Sequence, residues 1–281
     1  MRLTAYCIIY LVSLFLFTSC RTSSYYVSPM YGSSNSYRTL PFMSDSVKSS
    51  LYANSTITFG STNQNLHDDV YTWQGNIYNA HQFARWKVWY GTGLSSGLYH
   101  ARAFKEGYVV NPNFDTSYIN AHTGAYYFGS FNLNAGILYC LPLENGSEWR
   151  ILHFSPSFQQ EFGDYKRFRR DLYNDSVVIT GLATSGTLNT LSFGSELSIK
   201  SRKQEWFNID LTYSWIAGKD YRNTQLTYFY EAPPRRYNYI TLSGAYTFKQ
   251  HTPFIQCSFG HRLTNLQVGY NYCIASQKHK G

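Results

Sequence analysis

The chain has 281 residues and a formal net charge of +8, with only 14% charged but 19% aromatic residues. The aromatic content excludes an intrinsically disordered chain. A helical membrane protein needs several apolar runs of about 20 residues, and only the extreme N-terminus comes close to one. The basic residues are scattered and form no nucleic-acid-binding motif, so we expect no nucleic-acid partner.

The N-terminus reads as a targeting signal. A basic start is followed by a mostly apolar stretch over residues 3–17 and then by polar residues, which is typical of a cleaved signal peptide. The sequence Thr18-Ser19-Cys20 at its end resembles the lipobox of bacterial lipoproteins. The resemblance implies that residues 1–19 are removed and that Cys20 carries a covalent lipid. The alternative is an ordinary signal peptide with an incidental cysteine.

The mature chain divides into three parts. Residues 20–53 are rich in Ser, Tyr and Asn without a clear period, which predicts a flexible tether. Residues 54–276 show the alternation of β-strands, and residues 277–281 form a short basic tail. The cysteines of the mature chain other than Cys20 show no spacing typical of a metal site or a disulfide framework. We therefore expect no cofactor beyond the lipid on Cys20, and no metal.

Apolar and polar residues alternate most regularly from Trp206 to Trp215. The same period recurs along the chain and predicts an all-β protein with these eleven candidate strands: Ser55–Gly60, Val70–Asn79, Arg85–Thr92, Gly97–Phe104, His122–Cys140, Glu148–Gln160, Leu188–Lys200, Glu205–Ala217, Arg236–Phe248, Phe254–Gly260 and Thr264–Ile274. The alternation also predicts that Phe248 faces Ile255 and that Cys257 faces Val268 in the last two hairpins.

Three features favour a membrane barrel over a soluble β-sandwich. Several strands are longer than the usual 5–6 residues of globular proteins, and their polar faces carry few charges. Long connections (Phe104–Ala121, Glu161–Thr187, Gly218–Arg235) alternate with short ones (Leu141–Glu148, Ser201–Gln204, Lys249–Pro253), as in outer-membrane barrels. Aromatic residues near strand ends suit an interfacial girdle: Tyr213, Trp215, Tyr237, Tyr246, Tyr270 and Tyr272.

At class level the chain thus resembles bacterial, Bacteroidota-like outer-membrane β-barrel lipoproteins. The resemblance implies an antiparallel transmembrane β-barrel of 10 or 12 strands, because such barrels have an even strand number. One of the eleven candidates must then be wrong, and we expect the error in the first half. The expected location is the outer membrane, with a lipid-anchored N-terminus on the periplasmic side. The expected partners are outer-membrane lipids and other outer-membrane proteins.

This class has room for several functions. We expect a non-enzymatic structural or accessory subunit of an outer-membrane assembly, or a narrow pore, because a lumen of this size can be largely filled by side chains. The alternatives are a barrel hydrolase similar to lipid A deacylases, and a soluble periplasmic β-sandwich lipoprotein that binds glycan or protein.

Basic residues in two of the long connections are candidates for binding lipopolysaccharide phosphates or an acidic partner, because the Arg fork matches phosphate geometry. The first connection holds Lys166, Arg167, Arg169 and Arg170, and Arg235 and Arg236 stand where the second connection meets the next candidate strand. The alternative for the first is a solvated loop, and for the second a pair of strands that extend beyond the membrane.

The catalytic candidates are His153 and Ser155, with Glu161 as a residue that could orient the histidine. Their spacing resembles the His-x-Ser of outer-membrane lipid A deacylases, in which the histidine would activate the serine for attack on an ester. The chain departs from that family at Pro156, where the family has Asn, and in placing the motif mid-chain. Parity puts both side chains in the lumen, which favours a polar lumen-facing pair without catalytic activity.

Overall fold

The computed structural model describes residues 28–45, 47–63, 68–102, 123–174, 183–201, 203, 205–217, 237–260 and 263–278. In these ranges ten antiparallel strands close into one barrel, with each strand next to its sequence neighbours and β1 paired with β10. The strands are β1 Val47–Asn63, β2 Asp68–Phe83, β3 Trp86–Ala101, β4 Gly124–Pro142, β5 Glu148–Phe162, β6 Thr187–Lys200, β7 Trp206–Ala217, β8 Asn238–Thr247, β9 His251–Gly260 and β10 Leu263–Lys278. One α-helix, α1, spans Asp164–Asn174, and short 3-10 turns lie at Met43–Asp45 and Glu144–Gly146. None of the helices within these ranges has the length and apolar character needed to span a bilayer.

The predicted antiparallel barrel with an even strand number is confirmed. The surplus candidate arose in the first half, where the predicted strands 85–92 and 97–104 are the single strand β3. Glycines at inward positions interrupt the alternation there, although the backbone pairing with β2 and β4 continues through them. Side chains from the neighbouring strands occupy the vacated space: a Cβ at Gly93 would lie 2.1 Å from Asn76 Oδ1, and one at Gly97 2.5 Å from the Phe128 ring.

The two ends of the barrel differ. We call the end that carries the start of β1, the end of β10 and the connections 84–85, 143–147, 201–205 and 248–250 the turn end. The opposite end, which we call the loop end, carries all three long connections at 102–123, 163–186 and 218–237, together with the short connections 64–67 and 261–262. The predicted asymmetry of connection lengths therefore sorts the long connections to one end, as in outer-membrane barrels.

The outer surface of the wall is apolar. Leu211 is 55% exposed, whereas its neighbour Asp210 points into the lumen and is 9% exposed. The same alternation runs along the other strands, so that large apolar side chains cover the outside. A contiguous apolar surface of this extent is matched by lipid and not by water.

The aromatic girdle follows the prediction in part. Four of the six predicted side chains, Tyr213, Tyr246, Tyr270 and Tyr272, are exposed on the outer wall. Tyr237 is buried instead. It lies just before the first residue of β8, and its ring packs edge-on against Tyr31, with the ring centroids 5.6 Å apart.

The predicted register of the last hairpins is wrong by an even number of residues. Ile255 faces Gly244 rather than Phe248, and Cys257 faces Leu266 rather than Val268. The turn after β8 is tighter than expected because Phe248 bridges His251. A pattern of period two fixes which face a residue occupies, but registers two or four residues apart satisfy it equally well.

Replacing Leu211 by Arg tests whether the outer wall meets lipid. We expect Leu211→Arg to destabilise the barrel by about 2–4 kcal/mol, because a cation on the lipid face of a strand must leave water. The measurement is urea-induced unfolding of the barrel folded into phospholipid vesicles. The matched control is Asp210→Asn on the lumen side, which should cost no more than about 1.5 kcal/mol, the range of one hydrogen bond. Equal losses for the two variants would contradict a lipid-facing outer wall.

Candidate functional site

The lumen is occupied by residues 28–45 of the chain itself, which we call the lumen segment. Ten strands about 4.8 Å apart and tilted by about 40° enclose a barrel roughly 20 Å across between backbones. Side chains from opposite walls leave space for about one extended chain. Most residues of the lumen segment from Ser28 to Phe42 are buried.

This arrangement differs from the flexible tether predicted for residues 20–53. Residues 47–53 belong to β1, residues 28–45 lie in the lumen, and residues 20–27 are outside the described ranges. A chain enclosed by a wall on all sides has no solvent-facing side. Its sequence therefore lacks the period that marks a strand with two different faces.

The lumen segment runs from the loop end to the turn end. Near the loop end, Asn265 Nδ2 on β10 donates to the carbonyl of Tyr31 at 3.1 Å. At mid-height, the Tyr37 hydroxyl donates to Glu196 on β6 at 2.7 Å. At the turn end, the backbone N–H of Met43 donates to Glu148, the first residue of β5, at 3.0 Å.

Wall amides satisfy the backbone of the lumen segment, which has no strand partner. Gln74 donates to the carbonyl of Ser33 at 2.9 Å, and Gln267 donates to the carbonyl of Gly32 at 3.0 Å. Buried backbone groups need such partners. This requirement explains why lumen-facing positions carry Asn, Gln, Ser and Thr: their side chains form hydrogen bonds with the lumen segment, where water would otherwise do so.

A charge cluster fixes the lower part of the segment. Arg150 donates to Glu148 at 2.7 Å and to Glu196 at 2.6 Å, and Lys87 also pairs with Glu148. These four side chains are nearly or fully buried and carry two positive and two negative charges. Because Glu148 and Glu196 also accept from Met43 and Tyr37 of the segment, the cluster joins the segment to the wall.

Aromatic contacts also hold the lumen segment against the wall at the turn end. The Phe42 ring is stacked on Trp206 with centroids 3.8 Å apart and planes 2° from parallel. The guanidinium of Arg150 lies 5.2 Å from the same ring. Higher in the lumen, the guanidinium of Arg38 lies 4.2 Å from the Trp89 ring centroid. Such contacts stabilise a desolvated cation by about 2 kcal/mol.

Helix α1 and an apolar cluster cover the loop end. Tyr165 stacks on Tyr99 with centroids 3.9 Å apart, and Phe168 stacks on Tyr126 at 4.1 Å. The cluster includes Met30 and Tyr31 of the lumen segment. Burial raises the pKa of the Tyr165 hydroxyl well above its usual range, so this phenol is neutral at physiological pH.

The structure separates the basic candidates of this connection. Arg169 is fully buried and donates to Glu161 at 2.8 Å, so it faces the barrel and is not available to lipopolysaccharide phosphates. Arg167 and Arg170 are exposed, and Lys166 is half-buried. Arg235 and Arg236 lie outside the described residues. The phosphate-binding candidates that remain are Lys166, Arg167 and Arg170 of α1.

The catalytic candidates also have partners that differ from the prediction. His153 Nε2 lies 3.0 Å from Asp210 Oδ1, and the Thr212 hydroxyl lies 3.2 Å from the same nitrogen. Glu161 pairs with Arg169 and does not orient His153. The predicted lumen-facing parity of His153 and Ser155 agrees with the structure, in which both line a cavity of about 60 Å³ between the lumen segment and the wall.

This geometry is unsuited to a lipid substrate. The cavity at His153 and Ser155 is bounded by Tyr37, Arg38 and Leu40 of the lumen segment. Lipid lies on the other side of the wall. Within the described ranges, no group of His, Cys, Asp and Glu side chains could hold a metal ion.

Comparisons with known proteins find the barrel architecture alone. The sequence matches no protein-family model and no curated protein. Among solved structures, the chain is similar to the β domain of the Bordetella autotransporter BrkA, with 11% identity and a TM-score of 0.41 over 81% of this chain and 100% of that one. It is also similar to the translocator domain of the autotransporter NalP from Neisseria meningitidis, with 9% identity and a TM-score of 0.40 over 80% of this chain and 88% of that one. The KdgM porin in complex with disordered oligogalacturonate gives 9% identity and a TM-score of 0.32 over 80% and 99% of the two chains.

Proposed function

We propose that the chain is an outer-membrane lipoprotein, acylated on Cys20, whose barrel is a closed structural or accessory subunit of an outer-membrane assembly. The observation that carries this proposal is the lumen segment, which fills the barrel from the loop end to the turn end. Because the barrel's own chain fills its lumen, only the outer wall and the two ends can contact other molecules.

The contents of the lumen argue against a narrow pore. Apolar side chains fill the lumen near both of its ends. One cluster contains Tyr31 near the loop end, and another contains Leu40 near the turn end. The buried charge cluster lies beside the second cluster at the turn end, and the cavity of about 60 Å³ between the segment and the wall has room for only a few water molecules. A hydrated ion would have to displace the segment to pass.

The same contents argue against the hydrolase alternative. His153 and Ser155 face the lumen segment, and a lipid ester would reach them only through an opening in the wall. The soluble β-sandwich is excluded by the closed barrel. An accessory role through the outer wall or the exposed side of α1 needs none of the lumen groups to be accessible.

A disulfide between the segment and the wall tests this proposal in cells. The Ser34 hydroxyl lies 3.0 Å from that of Thr190 on β6, which places the two side chains within range of an S–S bond. We expect the double variant Ser34→Cys with Thr190→Cys to cross-link without added oxidant, because the periplasm is oxidising. The measurement is a reductant-sensitive shift in gel mobility of the unfolded protein, with each single variant as a control.

The locked variant also addresses the accessory role. If the segment stays in the lumen during function, the complex extracted in mild detergent should have the same mass with the disulfide closed and reduced. That mass should exceed the sum of one processed chain, which is smaller than the 32.5 kDa of all 281 residues, and its detergent. A lone chain in mild detergent would contradict the accessory role, and absence of the cross-link would contradict a filled lumen.

A further inference from the structure

The outer wall carries a mostly apolar groove of about 920 Å³, within the range of about 300–1,000 Å³ typical of small-molecule sites. The groove crosses six neighbouring strands, β2 to β7, and its lining includes Ile77, Tyr90, Leu133, Phe158, Leu191 and Ala217. Part of the lining lies where the β4–β5 ladder is interrupted, between Asn134 and Ile137 of β4. Ala135, with its small side chain, and Pro156, which has no backbone N–H for the ladder, stand in this gap. The wall therefore has space here for a chain from the lipid.

The groove opens toward the loop end. On β2 and β4 its lining residues Ile77 and Leu133 stand near the middle of the strands. On β6 it reaches Asn189, close to the first residue of the strand, and on β7 it reaches Ala217, the last residue. In outer-membrane barrels the long connections are extracellular. The groove therefore opens toward the outer leaflet.

Polar groups follow directly beyond the groove at the loop end. One outward position past Phe158 and Asn189, the Thr187 hydroxyl donates to Gln160 Oε1 at 2.9 Å. The ammonium of Lys166 lies beside the preceding residue, Gly186, where a Cβ would be only 2.5 Å from Nζ. A lipid presents the same order of groups, from its apolar acyl chains through polar linkages to its phosphate.

The exposed flanks of α1 differ in charge. Lys166 and Arg170 are four residues apart and therefore share one flank. In the described part of the chain, no carboxylate lies within ion-pair distance of either side chain. Arg167 is on the opposite flank, where its Nη1 lies 3.9 Å from Asp164 Oδ1. The flank with uncompensated positive charge is thus the one that contacts Gly186, beside the opening of the groove.

We propose that the groove and the flank of Lys166 and Arg170 form a binding site for one lipopolysaccharide molecule, with an acyl chain in the groove and a phosphate between the two cations. The apolar lining suits the acyl chain, and phosphate oxygens accept strong hydrogen bonds from an ammonium and a guanidinium. Lipopolysaccharide occupies the outer leaflet, at the level of α1. Because the site lies outside the wall, it requires neither an open lumen nor the accessory role proposed above.

Native mass spectrometry of the barrel purified in mild detergent tests this site, with bisphosphorylated lipid A as the probe. The double variant Lys166→Gln with Arg170→Gln should weaken binding about tenfold or more, because charge-assisted hydrogen bonds to phosphate are the strong ones. Ala135→Trp fills the groove and should weaken binding as much, since the acyl chain loses its space. Heat-dependent gel mobility verifies that each variant is a folded barrel.

Two control variants match these changes. Arg167→Gln removes one cation from the other flank of α1. Leu242→Trp adds the same ring as Ala135→Trp to the exposed wall of β8, outside the groove. Both controls should bind lipid A like the parent chain.

Three results would overturn the site. Unchanged binding by Ala135→Trp would leave the acyl chain without a role for the groove. An equal loss in Arg167→Gln and in the double variant would indicate general attraction by basic residues. Phosphatidylglycerol that binds as tightly as lipid A, with the same dependence on the variants, would make the occupant a phospholipid. None of these results affects the filled lumen or the accessory role, which the cross-link and the mass of the extracted complex test separately.

Discussion

Deleting residues 28–42 is expected to convert a silent barrel into an ion-conducting pore. The deletion removes the chain that fills the lumen and leaves the ten wall strands unchanged in sequence. Water would then enter the space that the segment vacates, which is about as wide as one extended chain because wall side chains fill the rest of the roughly 20 Å between backbones. The buried charges of Lys87, Glu148, Arg150 and Glu196 would become hydrated and favour the passage of ions.

Conductance across planar bilayers measures this directly. We expect the full-length protein to give no current steps and the deletion variant to give steps in nearly every insertion. The deletion variant must first show the heat-dependent gel mobility of a folded barrel. The control Tyr37→Phe keeps the segment and removes only the hydroxyl that donates to Glu196, so it should remain silent. A folded deletion variant without conductance would contradict the assignment of residues 28–42 as the element that closes the lumen.

The wall could be predicted from the sequence because each strand separates two different media. Lipid on one side and a polar lumen on the other impose a period of two, as at Leu211 and Asp210. The same period cannot distinguish registers that differ by an even number of residues. The alternation is also lost where glycine occupies the inward position, as at Gly93 in β3. Fold class and facing were therefore predictable, whereas register and the number of strands in the first half were not.

The lumen segment could not be predicted by the same reasoning. Its residues contact the wall on all sides, so no face of it is distinguished by solvent. The sequence does contain a weaker signal, because many wall residues that face the lumen are Asn or Gln. Their side-chain amides can donate two hydrogen bonds to backbone carbonyls, which a water-filled lumen would not need. Gln74 and Gln267, which donate to the carbonyls of Ser33 and Gly32, are examples.

Side-chain pairing in the candidate site was predicted only where parity decides it. The lumen-facing parity of His153 and Ser155 followed from the strand pattern. The partner of His153 is Asp210 on β7, and sequence alone gives no indication of which residue of a distant strand lies opposite. As far as the sequence shows, Glu161 could orient His153, but the chain reverses at the end of β5 and brings Arg169 of α1 to Glu161.

Replacing Glu148 by Gln is expected to cause the largest loss of stability of any single conservative change in the lumen. Glu148 accepts from Arg150 and Lys87 and also from the backbone N–H of Met43. The amide keeps one acceptor oxygen and turns a donor toward a group that donates already. Two cations then share the single carboxylate of Glu196 in a water-excluded lumen. Breaking a buried ion pair in this way costs about 3–5 kcal/mol.

Urea-induced unfolding in phospholipid vesicles, followed by tryptophan fluorescence, measures the loss. The matched control is Glu144→Gln in the adjacent turn; Glu144 is exposed, so its change should stay within about 0.5 kcal/mol. A second variant separates charge imbalance from simple loss of a hydrogen bond: Lys87→Met added to Glu148→Gln leaves one cation, Arg150, with one carboxylate, Glu196. Because the remaining charges balance, the double variant should recover most of the lost stability. If the double variant is less stable than Glu148→Gln alone, the loss of stability does not come from the unbalanced charge. The hydrogen bonds to the lumen segment would then account for the stability that Glu148 provides.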